Sequence, residues 1–388
     1  MAALRLTHLE LKNWRNFKHF AMPLQSRQLI VGPNASGKSN LLDAIRFLRD
    51  LVLTGGGLQQ AVHRRGGLSR LRSLAARNFN KGRVELAVSL GDDSDSEQWS
   101  YRLCFSAERS GRKRPIVILE EVHQGKRRVL LRPNSADESD EERLTQTALE
   151  QVNLNHEFRQ VAEFFASVRY LHLVPQVIRE PARGSSHDDD PFGGDFLARI
   201  ARTPAKTRDK RLRQVNDALR LAVPQLDELA LVKDVEGRPH LEARYQHWRV
   251  EGARQDEADF SDGTLRLIGL LWSLLESGRT AGPVLLEEPE LSLHAAVVRQ
   301  LPTLLARAHS RSGRQVLVST HADEILADPG LGLDEVIVLS PGNEGTCATS
   351  AQSIDGVKGL LESGMTLAEV LRPLTAPNQA ARLGAVNL

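Results

Sequence analysis

One eight-residue motif constrains the fold of this 388-residue chain more than any other feature. Residues 32–39 read Gly-Pro-Asn-Ala-Ser-Gly-Lys-Ser, which matches the phosphate-loop pattern G-x-x-x-x-G-K-[ST] at every fixed position. The apolar run 29–31 precedes the motif, and apolar residues recur behind it at the spacing of a helix. A strand, a glycine-rich turn and a helix in this order predict an α/β fold with a nucleotide site.

The chemistry of phosphate binding explains these residue types. Glycines let backbone N–H groups close around phosphates, Lys38 neutralises the β- and γ-phosphate oxygens, and the Ser39 hydroxyl ligates Mg²⁺. The residues expected to contact the nucleotide here are Gly32, Pro33, Asn34, Ala35, Ser36, Gly37, Lys38, Ser39 and Asn40.

Composition limits the remaining possibilities. Hydrophobic residues make up 41% and charged residues 26% of the chain, as in a soluble globular protein. No apolar stretch approaches the roughly 18 residues that a membrane span requires, and the N-terminus lacks a signal-peptide pattern. We therefore expect a cytoplasmic protein without membrane contact. A net charge of +2 is too small to identify a polyanionic partner.

Hydrophobic patterning predicts two kinds of sheet. Alternating apolar residues between 83 and 131, separated by turn-rich segments, predict antiparallel hairpins. Three nearly continuous apolar runs later in the chain predict strands of a parallel core that are buried on both faces, at 284–286, 316–318 and 336–339. The acidic segment 133–142 is expected to be a mobile loop, and helices are expected within 143–166 and 196–222.

Two adjacent carboxylates end the first of those buried runs. Glu287 suits the Mg²⁺ shell, and Glu288 suits the polarisation of a water molecule for in-line attack. The structural alternative is that these acids cap the following helix. That alternative explains Glu290 but does not readily explain two carboxylates that emerge from a buried strand.

Two further segments carry polar residues at element ends. His321 follows a buried strand and can contact the γ-phosphate or hold the attacking water, or it can be an ordinary surface histidine. The segment Phe-Ser-Asp-Gly-Thr-Leu-Arg at 260–266 precedes an apolar helix. Its serine can cap that helix, and a hydroxyl with free N–H groups at a helix start is also an anion site.

In this order, the phosphate loop, the 260–266 segment, the acid strand and the histidine resemble the ABC ATPase superfamily. The Asn-Trp-Arg-Asn-Phe segment at 13–17 and the Ser-Asp-Gly-Thr-Leu-Arg segment resemble the SMC, RecF and OLD branch, in its compact members without long coiled coils or a nuclease domain. The resemblance covers about 1–130 and 226–345. It implies a P-loop NTPase head of the ABC type, with a mixed sheet around a parallel core, an antiparallel β subdomain and a helical insert.

The resemblance also implies an ATP site that is shared by two copies of the chain. Lys38 and Ser39 of one copy would hold ATP and Mg²⁺, and Ser261 and Gly263 of the other would close on the γ-phosphate. Isolated chains would then hydrolyse ATP poorly.

Two more residues are assigned by the same resemblance. Gln176 is the candidate Mg²⁺-sensing glutamine, with an ordinary loop glutamine as the alternative, and Arg15 is a candidate nucleotide contact. Four positions depart from the family pattern. Ala35 stands where glycine is frequent, which the loop tolerates if the φ angle of Ala35 is negative. Glu287 replaces the frequent aspartate, Asp262 replaces a glycine, and His294 replaces an acid.

The expected domain organisation follows from the motif positions. Residues 1–132 form an N-terminal ATPase lobe, 143–225 a helical insert, 226–345 a C-terminal ATPase lobe, and 346–388 a tail.

Three roles for such an ATPase stay open. The first is DNA maintenance, repair or anti-phage defence, with phosphate contacts from the basic residues of 199–213, which can equally be solvated surface charge. The second is a nucleotide-gated switch that controls an effector protein in trans. The motor of a membrane transporter is a weaker third.

Overall fold

The structure is a computed structural model of the chain, and it describes residues 4–73, 82–108, 111–180, 190–246, 252–276, 282–376 and 382. Packing divides the chain into two compact units. The first unit contains Met1–Arg169, Arg279–Leu285 and His309–Leu388, and the second contains Tyr170–Gly278 and Leu286–Ala308. The domain boundaries expected from the sequence stay a prediction. No helix among the described residues has the length and apolar character needed to cross a membrane.

The strands of the described residues form three sheets. In chain order they are β1 (Arg5–Trp14), β2 (Phe17–Pro23), β3 (Arg27–Val31), β4 (Val84–Gly91), β5 (Trp99–Ala107), β6 (Pro115–Gln124), β7 (Arg127–Arg132), β8 (Arg169–Leu171), β9 (Leu226–Lys233), β10 (Pro239–Tyr245), β11 (Ala253–Asp256), β12 (Val284–Glu287), β13 (Val316–Ser319), β14 (Val336–Gly342) and β15 (Gly345–Ser350).

The helices are mostly short. In chain order they are α1 (Lys38–Val52), α2 (Leu58–His63), α3 (Leu68–Leu71), α4 (Ser135–Ser139), α5 (Arg159–Ala166), α6 (Pro175–Arg179), α7 (Phe196–Arg202), α8 (Ala205–Ala222), α9 (Asp262–Leu275), α10 (Ala295–Val298), α11 (Leu301–Ser312), α12 (Asp323–Leu326), α13 (Val357–Glu362) and α14 (Leu367–Thr375).

The first sheet is antiparallel and has the order β2-β1-β4-β5-β6-β7. Alternate residues of its strands are buried, as in β4. Leu86 of β4, for example, pairs with Leu103 of β5 on one side and with Leu11 of β1 on the other. Such alternation places every second side chain in the core. The antiparallel hairpins predicted from the sequence are therefore confirmed.

The second sheet contains the parallel core and has the order β15-β14-β3-β13-β12-β8. Strand β3 lies between two parallel neighbours: Val31 pairs with Val338 of β14, and Leu29 pairs with Val318 of β13. All four residues of β13 and the first four residues of β14 are buried, which matches their continuous apolar sequence. The phosphate-loop motif thus begins at the end of a central strand. The boundary between the two units passes through β8 and β12.

Helix α1 connects the phosphate loop to the core of the first unit. Its buried face includes Phe47, whose ring stacks on Phe105 of β5 and meets the edge of Trp14 of β1, at centroid distances of 5.4 and 5.3 Å. The buried residues of α1 run from Lys38 to Leu51, so the helix packs on the core along its length. The start of α1, where the nucleotide motif lies, is therefore attached to the core of the first unit.

The expectation of a mobile loop at 133–142 is wrong. Asn134 caps helix α4 in a reciprocal capping box with Asp137, and Arg132 bridges the buried carboxylates of Glu120 and Asp137 at 3.2 and 2.9 Å. Amino-acid composition predicted a mobile loop because it counts the acidic residues but does not show which groups they pair with. Here one buried guanidinium and one capping box order the segment.

The second unit contains α7 and α8, as expected, and a feature that the sequence analysis missed. Strands β9, β10 and β11 form an antiparallel sheet in the order β11-β10-β9, and helix α8 packs on β9 and α9. Its strands are polar and only partly buried, so they give a weak alternating signal.

Candidate functional site: the phosphate loop and the acid strand

The phosphate loop spans the gap between the end of β3 and the first residue of α1. Gly37 occupies the helix N-cap with a left-handed φ of 99°, so the N–H groups of the first turn point into the loop. Lys38 is buried, and its ammonium group donates to the carbonyls of Gly32 and Pro33 at 3.0 and 3.2 Å. Asn34, Ala35 and Ser39 are exposed. The loop therefore has the geometry of an anion cradle with its lysine inside.

The condition set for Ala35, a negative φ angle, is not met. Its φ is 62°, in the left-handed region that the sequence argument required it to avoid. A non-glycine residue pays about 1–2 kcal/mol for that conformation. Local strain of this kind persists where the surrounding structure fixes the backbone, and it is frequent at ligand clamps.

A second layer of polar side chains supports the loop, and sequence reasoning missed it. The Asn16 amide donates to the Ser36 carbonyl at 2.8 Å and to the Thr346 hydroxyl at 2.5 Å. Thr346 donates to the same carbonyl at 2.8 Å, and Asn40 donates to the Asn16 oxygen at 2.8 Å. A Cβ on Gly37 would lie 2.0 Å from the Asn16 nitrogen. The family resemblance of the 13–17 segment drew attention to Asn16, but no motif or periodicity around Thr346 indicated that it supports the loop.

Arg15 lies in the same hairpin but is held by helix α1. Its Nη2 donates to Asp43 at 2.8 Å, and Arg65 makes a further ion pair with Asp43 at 2.8 Å. Burial alone would raise the pKa of Asp43, but the neighbouring guanidinium groups outweigh that effect and lower it. A nucleotide contact by Arg15 stays a prediction.

The two adjacent carboxylates at the end of β12, the acid strand, belong to residues with different backbone conformations. Glu287 is the last residue of β12, and its carboxylate accepts a hydrogen bond from the Tyr170 hydroxyl. His172 Nδ1 lies 3.9 Å from the same carboxylate. Sequence reasoning missed both partners because β8 is distant in the chain. The hydrogen bond from Tyr170 fixes the direction in which the Glu287 carboxylate points.

Glu288 has a left-handed backbone, with a φ of 43°. That conformation costs a non-glycine residue about 1–3 kcal/mol and concentrates at active sites. Glu288, Arg266 and Leu173 line a small pocket of about 20 Å³, which is enough for one water molecule. The catalytic role of Glu288 stays a prediction.

Ser261 is the N-cap of α9, as the capping interpretation of this serine predicts. Its Oγ accepts a hydrogen bond from the Thr264 N–H at 3.2 Å. The residue is nevertheless exposed, so capping and presentation to an incoming ligand are compatible. A Cβ on Gly263 would lie 2.4 Å from the Ser292 carbonyl, so glycine is required there for packing within the second unit.

The remaining candidates lie at element ends. Gln176 is exposed in the first turn of α6, and His321 is exposed two residues after β13. His294 caps α10 by accepting from the Ala296 N–H at 3.1 Å, which accounts for this departure from the family pattern. Within the described part of the chain, no group of three or more His, Cys, Asp or Glu side chains could hold a metal ion.

The units divide these residues into two sets. The phosphate loop, Arg15 and His321 belong to the first unit, whereas Gln176, Ser261, Gly263, Glu287 and Glu288 belong to the second.

Comparison with known proteins identifies the family. The model of a family described as "AAA domain, putative AbiEii toxin, Type IV TA system" matches residues 29–327, which is well over half of the chain. The chain belongs to this family. The matched span of this AAA-domain protein begins in β3 and ends beyond His321, so it includes the phosphate loop, the 260–266 segment and the acid strand.

Relatives in sequence and structure agree with the motifs. The DNA replication and repair protein RecF of Lactobacillus gasseri is 38% identical over 74 residues, which cover 15% of this chain and only 20% of that relative. The Smc head bound to the C-terminal winged-helix domain of ScpA is similar over 92% of this chain and 99% of that chain, with a TM-score of 0.54 and 17% identity.

A Pyrococcus furiosus Smc head, which carries an extended coiled coil and is bound to the C-terminal domain of ScpA, is also similar. The similarity covers 93% of this chain and 100% of the Pyrococcus furiosus chain, with a TM-score of 0.50 and 16% identity. At such identities the likeness shows the fold alone. The AAA-domain protein therefore has an SMC-head-like fold, and the family match and the RecF segment agree with the SMC/RecF-like ABC-type ATPase that the sequence motifs indicated.

Proposed function

We propose that this AAA-domain protein binds and hydrolyses ATP with Mg²⁺ at a site shared by two copies of the chain. The loop geometry supports nucleotide binding, because the start of α1 and the buried Lys38 ammonium surround the space where phosphates bind in this fold class. Ser39 and Glu287 would hold Mg²⁺, with Gln176 as its sensor. The residues present suit such an ion, because hydroxyl and carboxylate oxygens are the ligands that Mg²⁺ prefers.

Glu288 would act as the general base for hydrolysis. It would polarise the attacking water, and His321 would hold that water or the γ-phosphate in place. The strained backbone of Glu288 and the pocket beside it support this role.

The exposed start of α9 carries the proposal that the site is shared. Ser261 Oγ caps the helix and also hydrogen-bonds to the Thr264 hydroxyl at 2.9 Å, while the residue stays exposed with the positive end of the helix dipole behind it. An anion such as the γ-phosphate of ATP bound to another copy would fit this helix terminus. In that arrangement the dimer, and not the single chain, is the active species.

Substitution of Glu288 by glutamine tests the proposal. Loss of a general base lowers the rate by about 100-fold or more, while the isosteric amide leaves ATP binding intact. We expect the Glu288→Gln protein to bind ATP, to hydrolyse it slowly and to accumulate as a dimer, seen as a doubling of mass by light scattering with ATP. Glu290→Gln, the same change two residues away, is the control. Hydrolysis by Glu288→Gln at the wild-type rate would refute the role of Glu288.

DNA is the partner that the surface charge favours. Exposed cations follow each other at helical spacing along α8, at Lys206, Lys210 and Arg213. Residues three or four positions apart share one helix face, so these side chains form a row that fits a phosphate backbone. The curated relative is named for DNA replication and repair, which agrees with this proposal.

The salt dependence of binding tests the DNA proposal. If all three cations contact phosphates, the logarithm of the binding constant falls with the logarithm of salt concentration at a slope of about −2.7. We expect the combined change of Lys206, Lys210 and Arg213 to alanine to reduce that slope strongly. Absence of DNA binding by the wild-type protein at low salt would remove the proposal.

A further inference from the structure

His172 follows strand β8 and brings an imidazole ring to the side of Glu287. Strands β8 and β12 are neighbours in the second sheet. The Nδ1 atom of His172 lies 3.9 Å from one carboxylate oxygen of Glu287, and the Tyr170 hydroxyl donates to that same oxygen. All three residues belong to the second unit. The carboxylate therefore has a fixed direction and a ring nitrogen beside it.

Contacts on the rest of His172 hold this nitrogen in place. The backbone N–H of His172 donates to the Pro191 carbonyl at 2.9 Å. Its ring stands nearly perpendicular to the Phe192 ring, at a centroid distance of 6.0 Å. Edge-to-face packing of this kind is a favourable arrangement of two rings. The imidazole is therefore held on both its backbone and its ring, with Nδ1 near Glu287.

The Nδ1 atom of His172 nevertheless makes no hydrogen bond. It is buried, and none of the residues that the structure describes supplies it with a donor or an acceptor. Its separation of 3.9 Å from the Glu287 oxygen exceeds the usual limit of about 3.2 Å for a hydrogen bond to oxygen. A buried polar atom without a partner is unfavourable, and an ion or a water molecule is one explanation for it. The gap between Nδ1 and the carboxylate is therefore a place for a third group.

A divalent cation fits this gap. Nitrogen and oxygen ligands lie about 2.0–2.2 Å from such an ion, so two atoms bound to the same ion are at most about 4.4 Å apart. The observed 3.9 Å satisfies this limit. Glu287 is also the carboxylate that the proposed function places on the metal ion. The ion, and not a water molecule alone, is therefore the group expected beside His172.

A nitrogen ligand changes which ion a site prefers. Mg²⁺ is a hard cation that takes oxygen ligands, whereas imidazole nitrogen suits first-row transition metals. The affinity of nitrogen-containing sites rises along the series from Mn²⁺ to Co²⁺ and beyond. His172 and Glu287 supply only two ligands, so phosphate and water oxygens would complete the shell. A site with this composition favours a transition-metal ion more than a site with oxygen ligands alone.

We infer that His172 is a metal ligand of the ATP site and selects a transition-metal divalent cation over Mg²⁺. The inference rests on the proposed ATP site. His172 supplies the nitrogen, Glu287 supplies the oxygen, and Tyr170 holds that oxygen by its hydrogen bond. The metal ion carried by the bound ATP is then selected by the second unit, through the end of β8 and the end of β12.

Electron spin echo spectroscopy tests for direct ligation. Mn²⁺ has unpaired electrons, and a nitrogen bound directly to it adds a ¹⁴N coupling to the echo signal. We expect this coupling in the Glu288→Gln protein with Mn²⁺ and ATP, because that variant retains its nucleotide. The coupling should disappear in Glu288→Gln/His172→Gln. Glu288→Gln/His156→Gln removes an exposed imidazole in the first unit and, as the control, should keep the coupling.

Isotope labelling tests the same assignment without a substitution at His172. If the nitrogen belongs to a histidine ring, incorporation of ¹⁵N-labelled histidine into the Glu288→Gln protein should replace the ¹⁴N coupling by a ¹⁵N coupling. An unchanged ¹⁴N coupling in the labelled protein would overturn the inference. This measurement keeps the inference testable even if the His172→Gln protein folds poorly.

Metal preference gives an independent measurement. Even the outer partners of metal ligands contribute about 10-fold in metal affinity, so the loss of a ligand should cost at least as much. We expect His172→Gln, in the Glu288→Gln background, to weaken binding of Co²⁺ with ATP by about 10-fold or more in titration calorimetry. Binding of Mg²⁺ with ATP should stay within about twofold, because its oxygen ligands remain.

The outcomes separate this inference from the proposed function. Absence of the ¹⁴N coupling from the Glu288→Gln protein, or its persistence in the His172→Gln variant, would overturn the role of His172; a water molecule alone in the gap gives the first of these results. Equal losses of Co²⁺ and Mg²⁺ complexes in the His172→Gln variant would also overturn it. If ATP binds to the Glu288→Gln protein with none of the three metal ions, the proposed ATP site itself is wrong.

Discussion

Replacement of Lys38 by alanine is expected to abolish ATP binding at working concentrations. The Lys38 ammonium is buried and lies inside the phosphate loop, where it donates to the carbonyls of Gly32 and Pro33. ATP would replace these neutral acceptors with charged phosphate oxygens. Removal of such charge-assisted contacts costs about 3 kcal/mol, which is about 100-fold in the dissociation constant.

Titration calorimetry with ATP and Mg²⁺ measures this effect directly. Lys18→Ala is a matched control, because Lys18 lies in the same unit and makes an exposed ion pair with Glu344. Exposed pairs contribute little, so this variant should bind ATP like the wild type. An unchanged dissociation constant in Lys38→Ala would contradict the assignment of the phosphate loop.

Local patterns predicted the elements that carry the chemistry. The phosphate loop, the antiparallel hairpins and the buried strands β13 and β14 each have a short-range signal, either a motif or a periodicity. The expected order of motifs also indicated the family, which the match over 29–327 confirmed. Sequence was sufficient wherever a residue's role follows from its immediate neighbours.

Contacts between distant segments could not be predicted in this way. Thr346 supports the loop from 310 residues away, and Tyr170 bonds to Glu287 across 117 residues. Neither residue type is unusual at its position, so only the fold reveals the partner. The strain at Ala35 is similar, because the sign of φ is set by the loop and its supports.

The segment 133–142 shows the opposite error. Its acids suggested a mobile loop, but Asp137 is buried against Arg132 and completes a capping box with Asn134. Composition averages over a segment, whereas one buried ion pair can decide its structure. The polar strands β9 to β11 were missed for a related reason, because partial burial weakens the alternating pattern.

Mixing two inactive variants is expected to have the second large effect. Both chains carry Glu288→Gln, so that bound ATP is not consumed. One chain adds Lys38→Ala and cannot bind nucleotide, and the other adds Ser261→Arg and cannot close on the γ-phosphate of a neighbour. Ser261 is exposed, so a large side chain there is accommodated without disturbing the core.

A mixed pair of these chains contains one complete site, made of Lys38 from one chain and Ser261 from the other. Each variant alone contains none. Thr366→Arg in the Glu288→Gln background removes an exposed helix cap elsewhere, at the start of α14, and controls for the loss of capping at Ser261. This control chain is expected to form dimers with ATP.

The mass of the equimolar mixture, measured by light scattering with ATP and Mg²⁺, tests the shared site most directly. We predict that each variant alone keeps its nucleotide-free mass and that the mixture gains a species of twice the chain mass. A mixture whose mass equals that of the separate variants, while Glu288→Gln alone forms dimers, would contradict a site built from Lys38 and Ser261 of different copies.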